Sequence, residues 1–99
     1  MKSALSIKRL KMRQILKYEI KSEGQFTIVM PADSFVLTVQ AQRNVPQIWV
    51  TGDPDKGIMV KRQFVVRMTG QYFDLSNTER YIGTFQLDGG SYVGHLFEV

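Results

Sequence analysis

The chain contains no cysteine, a single histidine and a single tryptophan, and no acidic residue precedes Glu19. Without cysteine there is no disulfide framework, no thiolate zinc site and no cysteine nucleophile, which fits a reducing compartment. No uncharged run approaches the roughly 20 apolar residues that a membrane-spanning helix requires. Lys2 is followed only by Ser-Ala-Leu-Ser-Ile before Lys8 and Arg9 intervene, too short an apolar stretch for an export signal. A soluble protein of the cytoplasm is the expectation, with no membrane contact and no cofactor.

What is present is ordinary in amount and uneven in placement. With 43% hydrophobic and 22% charged residues, the 99-residue chain has the composition of a globular domain and the length for one core. Lys2, Lys8, Arg9, Lys11, Arg13 and Lys17 supply six of the thirteen basic residues before the first acid; beyond Lys17 there are seven basic residues against nine acidic ones. The basic character therefore belongs to the N-terminus. Residues 1–11 are expected to form a basic flexible arm and residues 12–99 a single domain. A chain starting at Met12 would begin at the first strand, so residues 1–11 read as an extension of that domain. Lys8, Arg9, Lys11 and Arg13 are candidates for contact with nucleic-acid phosphates, against the plainer reading of a solvated terminus.

From residue 14 onward the apolar pattern has a period of two. Leu16, Tyr18 and Ile20 alternate with charge; Phe26, Ile28 and Met30 repeat the pattern after a turn at Ser22-Glu23-Gly24. Phe35, Leu37, Val39 and Ala41 are expected to share one face of a third strand. Pro46 leads into a fourth, Gln47–Thr51. Gly52-Asp-Pro-Asp-Lys-Gly57 concentrates turn chemistry. Met59–Thr69 reads as a long fifth strand, and its Lys61-Arg62 pair suggests a sheet edge or bulge. Gly70–Glu79 reads as a surface loop, with room for one helical turn in Asp74–Glu79. Tyr81–Val99 reads as a hairpin around Asp88-Gly89-Gly90. The expected fold is all-β: a compact antiparallel β-sandwich or small barrel of about seven strands, with little helix.

Ile15-Leu-Lys-Tyr-Glu-Ile20, Val39-Gln-Ala-Gln-Arg43 with Pro46-Gln-Ile-Trp49, and Tyr81-Ile-Gly-Thr-Phe-Gln86 with His95-Leu-Phe-Glu98 give the chain a likeness to known sequences. It resembles a family of small phage and prophage proteins of unassigned function, over about residues 12–99. The resemblance implies a phage or prophage setting, hence a bacterial host cell, and carries no catalytic residues with it.

Catalytic chemistry has few candidates. His95 is the only imidazole, and a histidine beside Leu96 and Phe97 in a strand is most simply a packing or surface residue. Asp88, Ser91 and His95 are near in sequence as any hairpin turn would place them. Asp53 and Asp55 lack calcium-loop spacing, so no metal site is expected. Binding is better represented. Trp49 alternates with Ile48 and Val50, so it is either a core anchor between two covered faces or an exposed aromatic anchor. Arg43, Lys61, Arg62 and Arg67 are candidates to meet an anion, against the plainer reading of a solvated face. The functional expectation is a non-enzymatic binding protein acting on a host or phage protein, or on a nucleotide signal, with anti-defence inhibition as its specific form. A virion or tail accessory protein and a nucleic-acid-binding regulator are the alternatives. Unpaired strand edges make a homo-oligomer an expected state.

Overall fold

The computed structural model describes residues 12–74 and 79–99. Those residues form seven strands: β1 (Gln14–Glu19), β2 (Gly24–Pro31), β3 (Phe35–Gln42), β4 (Val45–Gly52), β5 (Met59–Met68), β6 (Arg80–Leu87) and β7 (Tyr92–Glu98). They build two antiparallel sheets, one of three strands in the order β1-β4-β3 and one of four in the order β2-β5-β7-β6. The sheets stack as an open sandwich. The only helical geometry among the described residues is two three-residue 3-10 turns, Pro54–Lys56 and Asp88–Gly90.

The period-two pattern sets the core. Leu16, Tyr18 and Ile20 from β1 and its end, Val36 and Val39 from β3, and Ile48 and Val50 from β4 turn inward to meet Phe26, Ile28, Met30, Phe64, Val66, Phe85, Leu87 and Leu96 of the other sheet. Phe26 and Phe64 stack across the β2–β5 ladder at 5.7 Å between ring centroids. Pro46 fits β4 because its missing N–H faces the end of β1, where its carbonyl accepts the Ile20 N–H at 3.0 Å.

The Asp53–Gly57 and Asp88–Gly90 turns stand where the sequence puts them, and a further turn lies between β3 and β4. Arg43 (φ 53°) and Asn44 (φ 64°) form the two-residue β3–β4 turn. The Asn44 side chain donates to Asp88 Oδ1 at 2.8 Å and accepts the Asp88 N–H at 2.7 Å, tying this hairpin to the tip of β6–β7. Asp53 caps its own turn by accepting the Asp55 N–H at 3.0 Å.

Two strand expectations are corrected. In β3 the register shifts between Val36 and Thr38, so Leu37 is a bulge residue and the strand changes phase there. Phe35 and Leu37 consequently lie exposed at 67% and 51%, while Val36 and Val39 face the core. β5 is not an end strand of its sheet, but its pairing is divided: β2 pairs with Met59–Val66 and β7 only with Phe64–Met68, so Lys61 and Arg62 have no β7 partner. The helical turn expected in Asp74–Glu79 falls largely on residues 75–78, outside the described residues.

Candidate interaction surface

The two outward faces of the sandwich differ. On the four-stranded sheet the segment after β5 folds back over the face. Phe73 packs on Phe97 at 5.8 Å, and Tyr81 meets the same ring edge-on at 5.5 Å. Beneath them Val65 and Arg67 are buried although they sit on an outer face. The Arg67 guanidinium lies 4.2 Å from the Phe73 centroid and 5.1 Å from that of Phe97. It pairs with Glu79 through both carboxylate oxygens, one contact at 2.8 Å. The hydrogen bond from Arg67 holds the Glu79 carboxyl below the usual carboxylate range, against the opposing effect of burial.

His95 belongs to this covered face. Its Nε2 is 2.8 Å from Thr69 Oγ1 and its Nδ1 is 2.9 Å from Thr84 Oγ1, which is in turn 2.6 Å from the Tyr81 hydroxyl. Both ring nitrogens are engaged by hydroxyls. To accept a substrate proton the imidazole would first have to release one of them.

Among the described residues no segment folds over the outer face of the three-stranded sheet, although Gln47 on that face is buried. Strand register places Ile15, Thr51 and Phe35 in one row, Lys17, Trp49 and Thr38 in the next, and Glu19, Gln47 and Gln40 in a third. Trp49 is therefore at the centre, on the middle strand, pointing away from the core that Ile48 and Val50 enter. It is half-buried, whereas Ile15 and Phe35 in the adjacent row are exposed at 66% and 67%. Arg13 braces one end of the face. Its guanidinium donates to Thr51 Oγ1 at 2.8 Å, the Thr51 carbonyl at 2.9 Å, the Asp33 carbonyl at 2.7 Å and Asp33 Oδ2 at 2.9 Å, and lies 5.5 Å from the Phe35 centroid. The apolar centre is rimmed by Lys17, Glu19, Gln40 and Gln42, with Lys17 donating to Gln42 Oε1 at 2.8 Å.

The sequence model of a domain of unknown function, DUF7352, matches residues 12–99. The chain belongs to the DUF7352 family. No curated protein and no solved structure matches the chain. The DUF7352 match begins at Met12, two residues before β1, and leaves residues 1–11 outside it.

Within the DUF7352 domain the cationic residues singled out from sequence are not brought together. Arg43 is at the exposed β3–β4 turn, and Lys61 is exposed on the outer side of the four-stranded sheet opposite Val29. Arg62 turns inward. It binds Glu98 with two hydrogen bonds, 2.6 and 2.8 Å, and donates to the Ser34 carbonyl at 2.8 Å, fastening the turn after β2 to the end of β7. That hydrogen bond lowers the Glu98 carboxyl pKa, with burial opposing and Arg80, 3.1 Å away, adding to the effect. Arg67 is committed to Glu79. Arg13 is held by Asp33 and Thr51, while Lys8, Arg9 and Lys11 lie outside the described residues. Of the residues singled out from sequence, Trp49 lies on the outer face of the three-stranded sheet. Ile15, Phe35 and Leu37 of the DUF7352 face were missed as surface residues; the bulge at Leu37 leaves no trace in an alternation count. An open cleft of about 560 Å³ at the hairpin end is lined by Glu19, Lys21, Glu23 and Asn44, a mixed charge set that favours no ion. Among the described residues no group of three metal-ligating side chains occurs, and no helix is long and apolar enough to cross a membrane.

Proposed function

We propose that this protein is a non-catalytic binding module that engages a protein partner through the outer face of its three-stranded sheet. The observation that carries this reading is Trp49, turned outward at the centre of a sheet face that no described segment covers, with Ile15 and Phe35 exposed in the adjacent row. Buried apolar area of this kind, ringed by polar groups, supplies most of the energy in protein association. The likeness to phage and prophage proteins supports a partner in the cytoplasm of an infected bacterium, and inhibition of a host defence protein as the specific role. No cofactor enters the proposal.

The test is co-purification from phage-infected cells of the parent chain and of Trp49→Ala, Phe35→Ser and Lys61→Ala, each checked for folding by circular dichroism and each read by native mass spectrometry. A protein partner that is held by the parent and Lys61→Ala and lost by the two face variants supports the reading. A partner held equally by all four overturns it, as does a bound nucleotide or nucleic acid without any protein.

A further inference from the structure

Each sheet ends in two strands, and three of those four edge strands carry a bulge or a proline. β3 and β6 are bulged, at Leu37 and Ile82, and run so close that a Cβ on Gly83 would lie 2.8 Å from Val39 Cγ1. In β2 the even-numbered residues bond to β5, as the Ala32 N–H to Ile58 carbonyl bond shows, so the nitrogen of Pro31 faces the free edge and offers no donor. β1 has no proline, glycine or bulge, and among the described residues nothing pairs with its outer edge.

The bonding pattern determines what that edge presents. Ile20 donates to Pro46, so the even-numbered residues of β1 turn their backbone groups toward β4, and those of Ile15, Lys17 and Glu19 point away. Lys17 and Glu19 also share the outer face, two residues apart and opposite in charge. An antiparallel copy centred on Tyr18 sets each Lys17 opposite the partner's Glu19 in a hydrogen-bonded pair. Moving the centre to Lys17 or to Glu19 would instead oppose like charges, which is unfavourable across a ladder. On the inner face the same register puts Tyr18 against the partner's Tyr18 and Leu16 against the partner's Ile20. Leu16 and Tyr18 are the half-buried margin of the core, so this pairing completes their burial.

We infer that the protein forms a two-fold dimer through β1, with Lys17 of each chain paired to Glu19 of the other and Tyr18 at the axis. The outer faces then merge into one six-stranded surface carrying two Trp49 rings about 15 Å apart, from ordinary strand spacings. The inference stands apart from the proposed function: a monomer leaves the Trp49 face intact, and a dimer does not require a further partner.

The experiment is analytical ultracentrifugation of the full chain with Lys17→Glu, Glu19→Lys and the double exchange, together with hydrogen exchange of the β1 amides across protein concentration. The expected result is a parent dimer that each single reversal weakens by about tenfold or more and the double exchange restores. Restoration by the double variant also separates the intermolecular pair from the Lys17–Gln42 bond, which the exchange does not rebuild. The amides of Ile15, Lys17 and Glu19 should exchange more slowly as concentration rises. A monomeric parent, a dimer indifferent to both reversals, or β1 protection independent of concentration would each overturn the inference.

Discussion

Phe85 stands opposite Gly94 in the β6–β7 ladder, and its ring occupies the space in which a Cβ at position 94 would sit. The glycine is present for that contact: residue 94 is buried on the inner face, and the Phe85 ring lies over its backbone. The ring shields a stretch of strand that has no side chain of its own.

Gly94→Ala is accordingly expected to destabilise the domain by about 1–3 kcal/mol, because Phe85 must leave its position in a packed core. Urea denaturation followed by Trp49 fluorescence measures this. A variant as stable as the parent would show that the ring moves aside freely.

The bulge in β3 makes opposite predictions for two neighbouring aliphatic residues. Leu37→Ser should change stability by no more than about 0.5 kcal/mol, since Leu37 is exposed at 51%. Val39→Ala should cost about 1–3 kcal/mol, since Val39 is buried against β6. Equal costs would mean that the strand keeps a single phase through Leu37 and that the bulge is absent.

Stability should fall in acid through two particular carboxylates. Glu79 is held below the usual range by Arg67, and Glu98 by Arg62 with help from Arg80. In each case the unfolded chain binds the proton more tightly than the folded one. The stabilisation is therefore complete above about pH 5 and is lost as the pH drops through the lowered folded-state values. Denaturant midpoints measured from about pH 7 down to about pH 3 should decline, and the Glu79→Gln, Glu98→Gln double variant should start lower and decline less. A parallel decline in both proteins would place the acid sensitivity elsewhere.

Much of this architecture is legible in the sequence because period-two alternation and turn chemistry are local. Leu16-Lys-Tyr-Glu-Ile20, the Asp53–Gly57 turn and the closing hairpin occur where the residue pattern puts them. Information carried between distant residues is not legible in that way. The change of phase at Leu37 depends on pairing with β4, and the central place of β5 depends on two partners found before and after it in the chain. The same is true of charge. Arg62 and Arg67 look like surface cations in a run of alternating residues, yet Glu98 and Glu79 lie 36 and 12 positions further on. Trp49 was readable as outward or inward depending on whether its sheet is covered, a matter decided by where the segment after β5 folds: over the other sheet.

The order of pairing also constrains how the chain reaches this state. The β3–β4 and β6–β7 ladders join neighbours in sequence, but β1 finds β4 only across β2 and β3, and β2 finds β5 only across the β3–β4 hairpin. Such interleaved long-range closures predict slow folding, in about the millisecond-to-second range. During synthesis β2 waits longer for its partner than β1 does, since Gly24 pairs with Val66 and Gln14 with Gly52, so the start of β2 stays unpaired after β1 has found β4.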